Sequence, residues 1–392
     1  MTAQLTAYVG AAVFDGQSIL QNHALLVSGT SVHAVVPEDA VPDTARRIML
    51  DGGLLAPGYV DLQVNGGGGV MFNDDPSVDT LRIIAQAHAK LGTTSILPTL
   101  ITDTPEKTRA AIDAAVSAIG SGVAGIAGLH LEGPHLSLAR KGAHDAEMIR
   151  PMEQGDLDIL VDAARRLPAL MITLAPENAT PQQVRTLCKS GAVVSLGHSD
   201  ADFATCRAYA SAGASCVTHI FNAMSQLQNR EPGLVGAALR LGALSAGLIA
   251  DGIHVHPSAI EVALAAKKGP GSLFLVTDAM AIAGTNANSF RLNGREITRR
   301  NGRLTLSDGT LAGADLELGA ALRLIHGELG VALESALAMA TSRPADLMMM
   351  KRSAGYLVPG SRADFIHLDN NFHLRGIWRM GSVRSDSLEK HN

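Results

Sequence analysis

The sequence is poor in aromatic residues and in cysteine. Only 3% of its 392 residues are Phe, Trp or Tyr, whereas 40 are Gly, so tight turns and contacts between small residues are expected. The three cysteines, Cys188, Cys206 and Cys216, form no C-x-x-C pair. This argues against a disulfide framework or a thiolate zinc site and favours a reducing cytoplasm. Hydrophobic residues at 46% and charged residues at 18% argue against disorder.

The chain also lacks any run of basic residues and any clear membrane segment. Its 32 Lys and Arg against 37 Asp and Glu give a formal net charge of −5, so neither nucleic acid nor an anionic membrane is expected as a partner. Residues 7–14 are apolar, but no basic residue precedes them, which argues against a signal peptide. Residues 114–131 are uncharged but interrupted by Gly120-Ser121-Gly122. They predict a helix, a loop and a strand, and the whole chain predicts a soluble, cytoplasmic protein.

From residue 57 onwards, short apolar runs alternate with helical patterns. The eight runs are 59–64, 94–100, 126–131, 171–174, 193–196, 216–221, 246–250 and 273–277. Strands that alternate with helices predict a parallel sheet. Eight strands, apolar on both faces, favour an α/β fold closed into a (β/α)8 TIM-like barrel over residues 57–350. Residues 290–311 carry Asn293-Gly294 and Asn301-Gly302, which predict hairpins inserted after the eighth strand.

The two ends of the chain have a different character. In residues 1–56, apolar residues alternate with period two, without helical patterns, and Gly and Pro turns separate the segments 8–14, 24–27, 32–36 and 47–50. Residues 351–392 repeat this character. Because neither set of strands can bury a face alone, we expect one small β-sandwich domain built from residues 1–56 and 351–392.

Polar residues with catalytic chemistry follow the predicted barrel strands. In α/β barrels these positions face the active-site mouth. In chain order they are Gln63 and Asn65, Glu132, His198, His219, Asp251 with His254, and Asp278. The set of Glu132, His198 and His219 is typical of a Zn²⁺ or Fe²⁺ site with an open coordination position. Asp278 follows an apolar strand and is a candidate general base and acid.

Each of these residues also has a structural interpretation. A single His at a strand end is usually a hydrogen-bonded polar residue, residues 132–135 are compatible with a capping loop, and Asp278 is compatible with an N-cap. The coincidence of four strands that end in such groups favours a metallohydrolase. His254 and His256 lie in a loop pattern that favours structural or substrate-binding roles. Residues 66–69 lack the Gly-Lys-Ser/Thr of a phosphate loop and predict a tight turn.

Over nearly its whole length the chain resembles the amidohydrolase superfamily, and closely the N-acetylglucosamine-6-phosphate deacetylases. The resemblance rests on Ala56-Pro-Gly-Tyr-Val-Asp-Leu-Gln-Val-Asn-Gly, Leu131-Glu-Gly-Pro-His, Lys141-Gly-Ala-His, Leu196-Gly-His-Ser, Thr218-His-Ile-Phe-Asn-Ala-Met, Arg230-Glu-Pro-Gly-Leu, Ala250-Asp-Gly-Ile-His and Val276-Thr-Asp-Ala. It implies metal-dependent conversion of N-acetyl-D-glucosamine 6-phosphate into D-glucosamine 6-phosphate and acetate, in amino-sugar catabolism or cell-wall recycling.

The resemblance also implies roles for individual residues. Asp278 matches the catalytic carboxylate, and Arg230 matches a phosphate-binding arginine that the neighbouring subunit supplies, which implies a homodimer. Contacts to the sugar, the acyl group or the phosphate are implied for Ala143, His144, Asn222, Ala223, His254, Leu311, Ala312 and Gly313.

The first strand departs from a common amidohydrolase pattern. Many amidohydrolases carry His-x-His there for one of two metals, whereas this chain has Gln63 and Asn65, as do some deacetylases. Neutral amides are poor ligands for such a metal, so the first-strand site is interpreted as vestigial. No Lys stands at a strand end to bridge two metals. We therefore expect one divalent ion per subunit, Zn²⁺ first, with Fe²⁺, Co²⁺ and Mn²⁺ as alternatives.

Other functions stay open. The N-acetylgalactosamine 6-phosphate deacetylases act on a substrate that differs by the configuration of one hydroxyl group. A deaminase or a dihydropyrimidinase-type enzyme would be expected to carry His-x-His on the first strand and often a bridging lysine, and this sequence has neither. A catalytically silent sugar-phosphate-binding protein is disfavoured because Asp278 and the three candidate metal ligands are all present.

Overall fold

The computed structural model describes residues 4–292 and 294–383. The chain divides into two compact units. One, here the terminal unit, comprises Met1–Val60, His88–Ser95 and Leu318–Asn392, and the other, the barrel unit, comprises Asp61–Ala87 and Ile96–Glu317. The predicted domain boundaries at 56/57 and 350/351 stay predictions.

The strands of the terminal unit form two sheets. The smaller sheet has the order Ser31–Pro37, His23–Ser28, Leu5–Val9 and Arg46–Met49. The larger has the order Ser382–Val383, Leu374–Arg379, Phe365–Leu368, Leu54–Pro57, Ala12–Phe14 and Ile19–Leu20. Because Leu54–Pro57 pairs antiparallel with Phe365–Leu368, the two ends of the chain share one sheet, as predicted.

Aromatic rings pack between these two sheets. Tyr8 of the smaller sheet meets Phe365 of the larger sheet edge-on, with ring centroids 4.9 Å apart. Phe365 in turn stacks on Trp378 at 4.8 Å. All three are buried within one apolar cluster. The few aromatic residues of the chain are thus used in part to hold the small β-sandwich together. The helices of this unit are Leu318–Arg323, Leu324–Glu328 (a π-helical turn), Leu333–Ala340 and Ser342–Leu347, and Glu38–Ala40 is a 3-10 turn.

Eight parallel strands form the sheet that positions the site, and they pair in chain order. They are Tyr59–Val64, Thr93–Ile101, Leu129–Glu132, Leu170–Leu174, Val193–Leu196, Cys216–Val217, Ser245–Leu248 and Leu273–Leu275, called the first to eighth barrel strands below. The residues after the eighth strand return to the first. The amide of Asp278 donates to the carbonyl of Gln63 at 3.1 Å, and that of Asn65 to Ala279 at 2.8 Å. This closure is consistent with the predicted (β/α)8 barrel.

Helices with strong start signals connect the strands. The Thr104 side chain caps one helix, and Thr180 and Gln183 form a capping box at another, each with Pro at the first helical position. The seven connecting helices are Val78–Lys90, Pro105–Gly120, Gln154–Arg166, Pro181–Lys189, Phe203–Ala212, Gly233–Arg240 and Pro257–Ala266. Short 3-10 turns at Leu138–Arg140 and Ala146–Met148 lie in the loop after the third strand. Within the described residues, no helix combines the length and apolarity needed to cross a membrane.

The insertion after the eighth strand is a four-stranded antiparallel sheet. Its strands, in spatial and chain order, are Ser289–Leu292, Arg295–Arg300, Arg303–Thr305 and Leu311–Ala314. Asn301 and Gly302 both adopt positive φ, at 51° and 72°, as expected of the predicted hairpin turn. Asn293, the other turn signal, lies outside the described residues. Leu292, Ile297 and Leu304 bury the apolar face of this sheet against Met280 and Ile282.

Some predicted strands are longer than the observed ones. The run 216–221 is a strand only to Val217, because His219 and Phe221 have φ values of 28° and 78° that no strand accommodates. The predicted segment 8–14 is two strands, since Gly10 turns with φ 87° between them. The pattern of apolar residues does not reveal such turns, because the residues after the turn remain buried.

Candidate active site

Three side chains converge at the mouth of the barrel. Glu132 is the last residue of the third strand, His198 follows the fifth strand by two residues, and His219 follows the sixth by two. The Oε1 atom of Glu132 lies 3.1 Å from Nε2 of each histidine, and the two Nε2 atoms lie 3.1 Å apart. All three side chains are at most 6% exposed. The structure therefore gathers the predicted metal-ligand set into one buried triangle.

The chemistry of these donors fits a metal ion. The Nδ1 atom of His198 lies 2.8 Å from the carbonyl oxygen of Arg140, and because a carbonyl only accepts, Nδ1 carries the proton. In the neutral ring, Nε2 then presents a lone pair to a carboxylate oxygen and to a second imidazole. Such groups repel one another unless a cation lies between them. Tetrahedral ligands about 2.1 Å from Zn²⁺ are separated by roughly 3.4 Å, close to the observed spacing.

The electrostatics of the triangle keep its carboxylate ionised. Burial raises the pKa of Glu132, but the interactions with His198 and His219 outweigh burial and hold the pKa well below its usual value. Burial likewise lowers the pKa of His219, yet the hydrogen bond to Glu132 reverses this and the net pKa is raised. Glu132 therefore carries a negative charge that faces the two imidazole rings.

Left-handed backbone turns aim these side chains into the mouth. His198, His219 and Asp278 have φ values of 47°, 28° and 51°. Non-glycine residues rarely adopt this region, and they do so at functional sites more often than elsewhere. His198 and His219 each lie two residues after a barrel strand and Asp278 lies three residues after one, so the turn comes just beyond the strand and redirects the side chain. Sequence patterns give the residue type at these positions but not the turn.

Asp278 is held by the two amide side chains of the first strand. Its Oδ1 atom accepts from Asn65 Nδ2 at 2.7 Å and from Gln63 Nε2 at 3.2 Å. Gln63 Nε2 also donates to Glu132 Oε2 at 3.1 Å. Burial, followed by the negative charge of Glu132, raises the pKa of Asp278 above its usual value. A carboxyl group that exchanges a proton near neutral pH needs such an elevation.

His144 lies beside the triangle as a neutral donor. Its Nδ1 atom accepts from the backbone N–H of Thr102 at 3.4 Å and contacts the Thr102 hydroxyl at 2.8 Å. Since an amide N–H only donates, the proton of the neutral ring resides on Nε2. Burial, with the neighbouring His198 adding to it, lowers the pKa of His144 to about 3. The ring centroids of His144 and His198 are 4.4 Å apart.

His254 is oriented by a carboxylate. Its Nδ1 donates to Asp251 Oδ2 at 2.6 Å, while Asp251 Oδ1 accepts from the backbone N–H groups of Ile253 and His254. Burial raises the pKa of Asp251, but the hydrogen bond from His254 outweighs it and the pKa is lowered. With Nδ1 committed to Asp251, Nε2 of His254 is the atom left for a ligand. His256 instead caps the helix Pro257–Ala266, a structural role.

These groups surround a cavity of about 410 Å³. The predicted site residues that line it are Asn65, Glu132, Ala143, His144, His198, His219, Asn222, Ala223, His254, Asp278, Leu311 and Gly313. Sequence reasoning missed other lining residues, namely Ile101, Ala139, Arg140, Gly142, Ile249, Met280, Leu292 and Thr310. Several of these residues follow a barrel strand or belong to the inserted sheet. Ile249 and Met280 could have been identified from the sequence by their positions after predicted strands.

Besides Asp251, three predicted residues do not line the cavity. Gln63 lies beneath it, bonded to Glu132 and Asp278, and Ala312 packs into the apolar cluster of the inserted sheet. Arg230 is exposed on the loop after the sixth strand. Its neighbour Glu231 accepts instead from the backbone N–H groups of Phe203 and Gly233. Within residues 4–292 and 294–383, Arg230 forms no ion pair.

Comparison with known families accounts for almost all of the chain. The amidohydrolase family matches residues 54–385, and the NagA composite domain matches residues 6–55. The N-acetylgalactosamine-6-phosphate deacetylase of Shewanella sp. (strain ANA-3) is 42% identical over 95% of this chain and 94% of its own length. The N-acetylglucosamine-6-phosphate deacetylase of Haemophilus influenzae is 32% identical over 94% of this chain and 97% of its own.

Solved structures agree over the same extent. The N-acetylglucosamine-6-phosphate deacetylase from Pasteurella multocida superimposes with a TM-score of 0.92 at 35% identity, covering 97% of this chain and 99% of that one. A mutant of the Mycobacterium smegmatis enzyme, solved in complex with N-acetyl-D-glucosamine-6-phosphate, gives a TM-score of 0.88 at 29% identity, covering 98% and 99%.

Proposed function

The chain belongs to the amidohydrolase family, and we propose that it hydrolyses the N-acetyl group of N-acetyl-D-glucosamine 6-phosphate to give D-glucosamine 6-phosphate and acetate. The observation that carries this proposal is the meeting of a buried two-histidine, one-carboxylate set with a separate carboxyl group, Asp278, in one cavity. Hydrolysis of an unactivated amide needs both an electrophile for the carbonyl and a group that protonates the departing nitrogen.

One divalent ion per subunit is part of the proposal, with Glu132, His198 and His219 as its ligands. Zn²⁺ suits this set best, and Fe²⁺, Co²⁺ and Mn²⁺ are the alternatives. When bound, such an ion lowers the pKa of a bound water to about 7 and polarises a carbonyl group. The convergence of lone pairs in the triangle supports the ligand set, and the amides of Gln63 and Asn65 support a single ion because they are poor ligands.

Asp278 is the proposed general base and acid. It accepts the proton of the attacking water and delivers it to the nitrogen of the leaving amine. Since Oδ1 is engaged by two amide donors, Oδ2 is the oxygen for this transfer. His144 remains neutral throughout because its pKa is near 3. Its Nε2–H is the proposed donor to the acetyl oxygen as negative charge develops there.

The remaining cavity residues are proposed to bind the sugar phosphate. His254, oriented by Asp251, and the loop of Asn222 and Ala223 contact the sugar and the phosphate, while the backbone of Leu311–Gly313 lines the other wall. Arg230 is proposed to reach the phosphate of a neighbouring subunit, in a homodimer, because a dianion requires a cation and a guanidinium binds phosphate with two parallel donors. A cytoplasmic location is supported by three cysteines that form no disulfide.

The galactosamine epimer is the second candidate substrate. It is favoured by the 42% identity to an N-acetylgalactosamine-6-phosphate deacetylase. The test is acetate release by the purified, metal-loaded protein from N-acetyl-D-glucosamine 6-phosphate and from N-acetyl-D-galactosamine 6-phosphate. A higher kcat/KM for the first supports the proposal, and a higher value for the second replaces it with the epimer. Binding of both without acetate release would identify a binding protein and refute the enzymatic proposal.

A further inference from the structure

Two neutral amides link the two acidic groups of the site. Gln63 Nε2 lies 3.1 Å from Glu132 Oε2 and 3.2 Å from Asp278 Oδ1. Asn65 Nδ2 lies 2.7 Å from the same Asp278 oxygen. Gln63, Asn65 and Glu132 are each only 2% exposed. Four side chains that lie on or just after the first, third and eighth strands therefore form one hydrogen-bonded chain, in which Asp278 is partly exposed and the other three are buried.

The chemistry of the partners fixes the orientation of both amides. An ionised carboxylate only accepts hydrogen bonds, so the NH₂ group of each amide must face it. Both hydrogens of Gln63 Nε2 are then used, one on Glu132 and one on Asp278. Two neighbouring carboxylates repel each other in a buried site, and a donor between them opposes that repulsion without adding charge. A histidine or a carboxylate at position 63 would not supply two hydrogens from one atom.

The first strand also holds the backbone of Asp278. The amide of Asp278 donates to the Gln63 carbonyl, and the amide of Asn65 donates to the carbonyl of Ala279. One short segment therefore fixes both the main chain of Asp278 and one of its carboxyl oxygens. Among the described residues no hydrogen bond to Oδ2 of Asp278 is recorded, so this oxygen is the one oriented for reaction.

We propose that Gln63 and Asn65 are positioning residues rather than remnants of a metal site. Asn65 and Gln63 hold Asp278 by Oδ1 so that Oδ2 faces the substrate, and Gln63 additionally orients Glu132 towards the metal. This inference rests on the proposed function for the role of Asp278, whereas the link from Gln63 to Glu132 stands without it.

Packing alone does not explain the amide at position 65. Its Oδ1 atom is buried and, within residues 4–292 and 294–383, has no hydrogen-bond partner. A buried polar atom without a partner lowers the stability of the fold, and an apolar side chain of similar size would avoid that loss. An amide at this position is explained if its NH₂ group positions Asp278 through the hydrogen bond to Oδ1.

The test compares Asn65→Leu and Gln63→Met, which keep much of the volume and remove the donors. Asn73→Leu is the matched control, because Asn73 is also a buried amide that donates to a carboxylate, Asp103, and neither of these two residues lines the cavity, although Asn73 also bonds the backbone of Ile101. For each variant, kcat, KM, thermal stability and metal retention in competition with a chelator are measured. Asn65→Ala is the smaller replacement if the leucine variant does not fold.

Asn65→Leu is expected to lower kcat by roughly 10- to 100-fold, the effect of losing a hydrogen bond to a charged group, with KM and metal retention unchanged. Gln63→Met is expected to lower kcat and also to weaken metal binding by about 10- to 100-fold, as for other groups that orient a metal ligand. Asn73→Leu is expected to lower thermal stability while kcat stays near the wild-type value.

Three results would each overturn part of the inference. Near wild-type kcat in both Asn65 variants would remove the role of Asn65, as would a loss of kcat that Asn73→Leu reproduces. Wild-type metal retention in Gln63→Met would remove the link to Glu132. If the wild-type protein released no acetate from either epimer, the proposed function would fail, and the metal-retention measurement would still decide the role of Gln63.

Discussion

The Nδ1 atom of His198 donates to the carbonyl oxygen of Arg140 at 2.8 Å. In the neutral ring of His198, this contact places the proton on Nδ1. The Nε2 atom that faces Glu132 and His219 therefore carries a lone pair. Arg140 belongs to the loop after the third strand, and its side chain forms an ion pair with Asp200. The loop that contributes Ala143 and His144 to the cavity therefore also orients His198, a proposed metal ligand.

We predict about one tightly bound divalent ion per chain. The triangle of Glu132, His198 and His219 offers three ligand atoms, whereas Gln63 and Asn65 present their NH₂ groups to carboxylates and have no lone pair to offer there. Elemental analysis of protein purified without added metal checks this stoichiometry. Removal by a chelator should abolish acetate release, and readdition of one equivalent should restore it. Two equivalents whose loss tracks activity would contradict the prediction.

Asp278→Asn should lower kcat by about 10² to 10⁴ while metal content and sugar-phosphate binding change little. The amide keeps the shape of the side chain but cannot accept or return a proton. Steady-state kinetics and binding of the substrate to the inactive variant measure the two effects separately. Near-native turnover would mean that another group acts as the base, and His144 would be the first to examine.

Arg230 should complement an inactive site across the proposed subunit interface. Arg230→Ala and Asp278→Asn are each expected to impair the protein, but in a mixed dimer one site would combine an intact Asp278 with the intact Arg230 of the partner subunit. Mixing the variants after reversible dissociation should therefore restore part of the activity, since a two-fold interface places the same residues of each subunit against the other. Subunit exchange is confirmed by mass. Activity that stays at the level of the unmixed variants would show that Arg230 does not act between subunits.

His130 should make the fold less stable in acid. Burial lowers its pKa to about 4, although the charge of Glu132 opposes this. Between about pH 6.5 and pH 4 the unfolded chain therefore binds more protons than the fold, and acidification favours unfolding, by roughly 2 kcal/mol at pH 5 for this group. His130→Gln retains polar atoms for the Leu62 carbonyl and the Thr173 hydroxyl but cannot titrate.

Urea unfolding of the wild type and of His130→Gln at pH 7 and pH 5 measures this contribution. The variant should lose less free energy of unfolding between the two pH values than the wild type does. Because both proteins carry the same metal ligands, the comparison cancels the effect of acid on metal binding. Equal losses in the two proteins would mean that His130 is not the group responsible.

Much of the architecture could be predicted because it depends on local patterns. Apolar runs alternating with capped helices identify the barrel, and the run Tyr59–Val64 matches its strand at both ends. The enzyme class could also be predicted, since Glu132, His198 and His219 carry recognisable chemistry at the ends of three barrel strands. The inserted sheet was visible from Asn301-Gly302. These features depend on neighbours in the sequence or on the regular order of the barrel.

The rest depends on contacts that no local pattern encodes. In the sequence, Gln63 and Asn65 are noticed only because they replace the two histidines of a metal site. Their hydrogen bonds to Asp278 join residues more than two hundred positions apart, so they form only when the barrel closes. Ala143 and His144 were identified by resemblance alone, because a loop has no periodicity to read. The exposed position of Arg230 gives no function within a single chain, so its role depends on an assembly that one chain cannot display.

The junction where the residues after the eighth barrel strand pair with the first strand, here called the seam, is expected to open more readily than the rest of the barrel sheet. The amides of Asn65, Gly66 and Asp278 donate across it, but within the described residues the two segments are paired by one isolated bridge, Val64 with Ala279, whereas the third and fourth strands share a register of four residue pairs. Local opening is easiest where two neighbouring strands share the fewest residue pairs. In deuterium exchange, the amides of Asn65 and Asp278 should therefore be replaced ahead of those of Leu131 and Ile172, and a ligand that spans the seam should slow them selectively. Exchange of the Asp278 amide would then report on whether the first and eighth strands are paired.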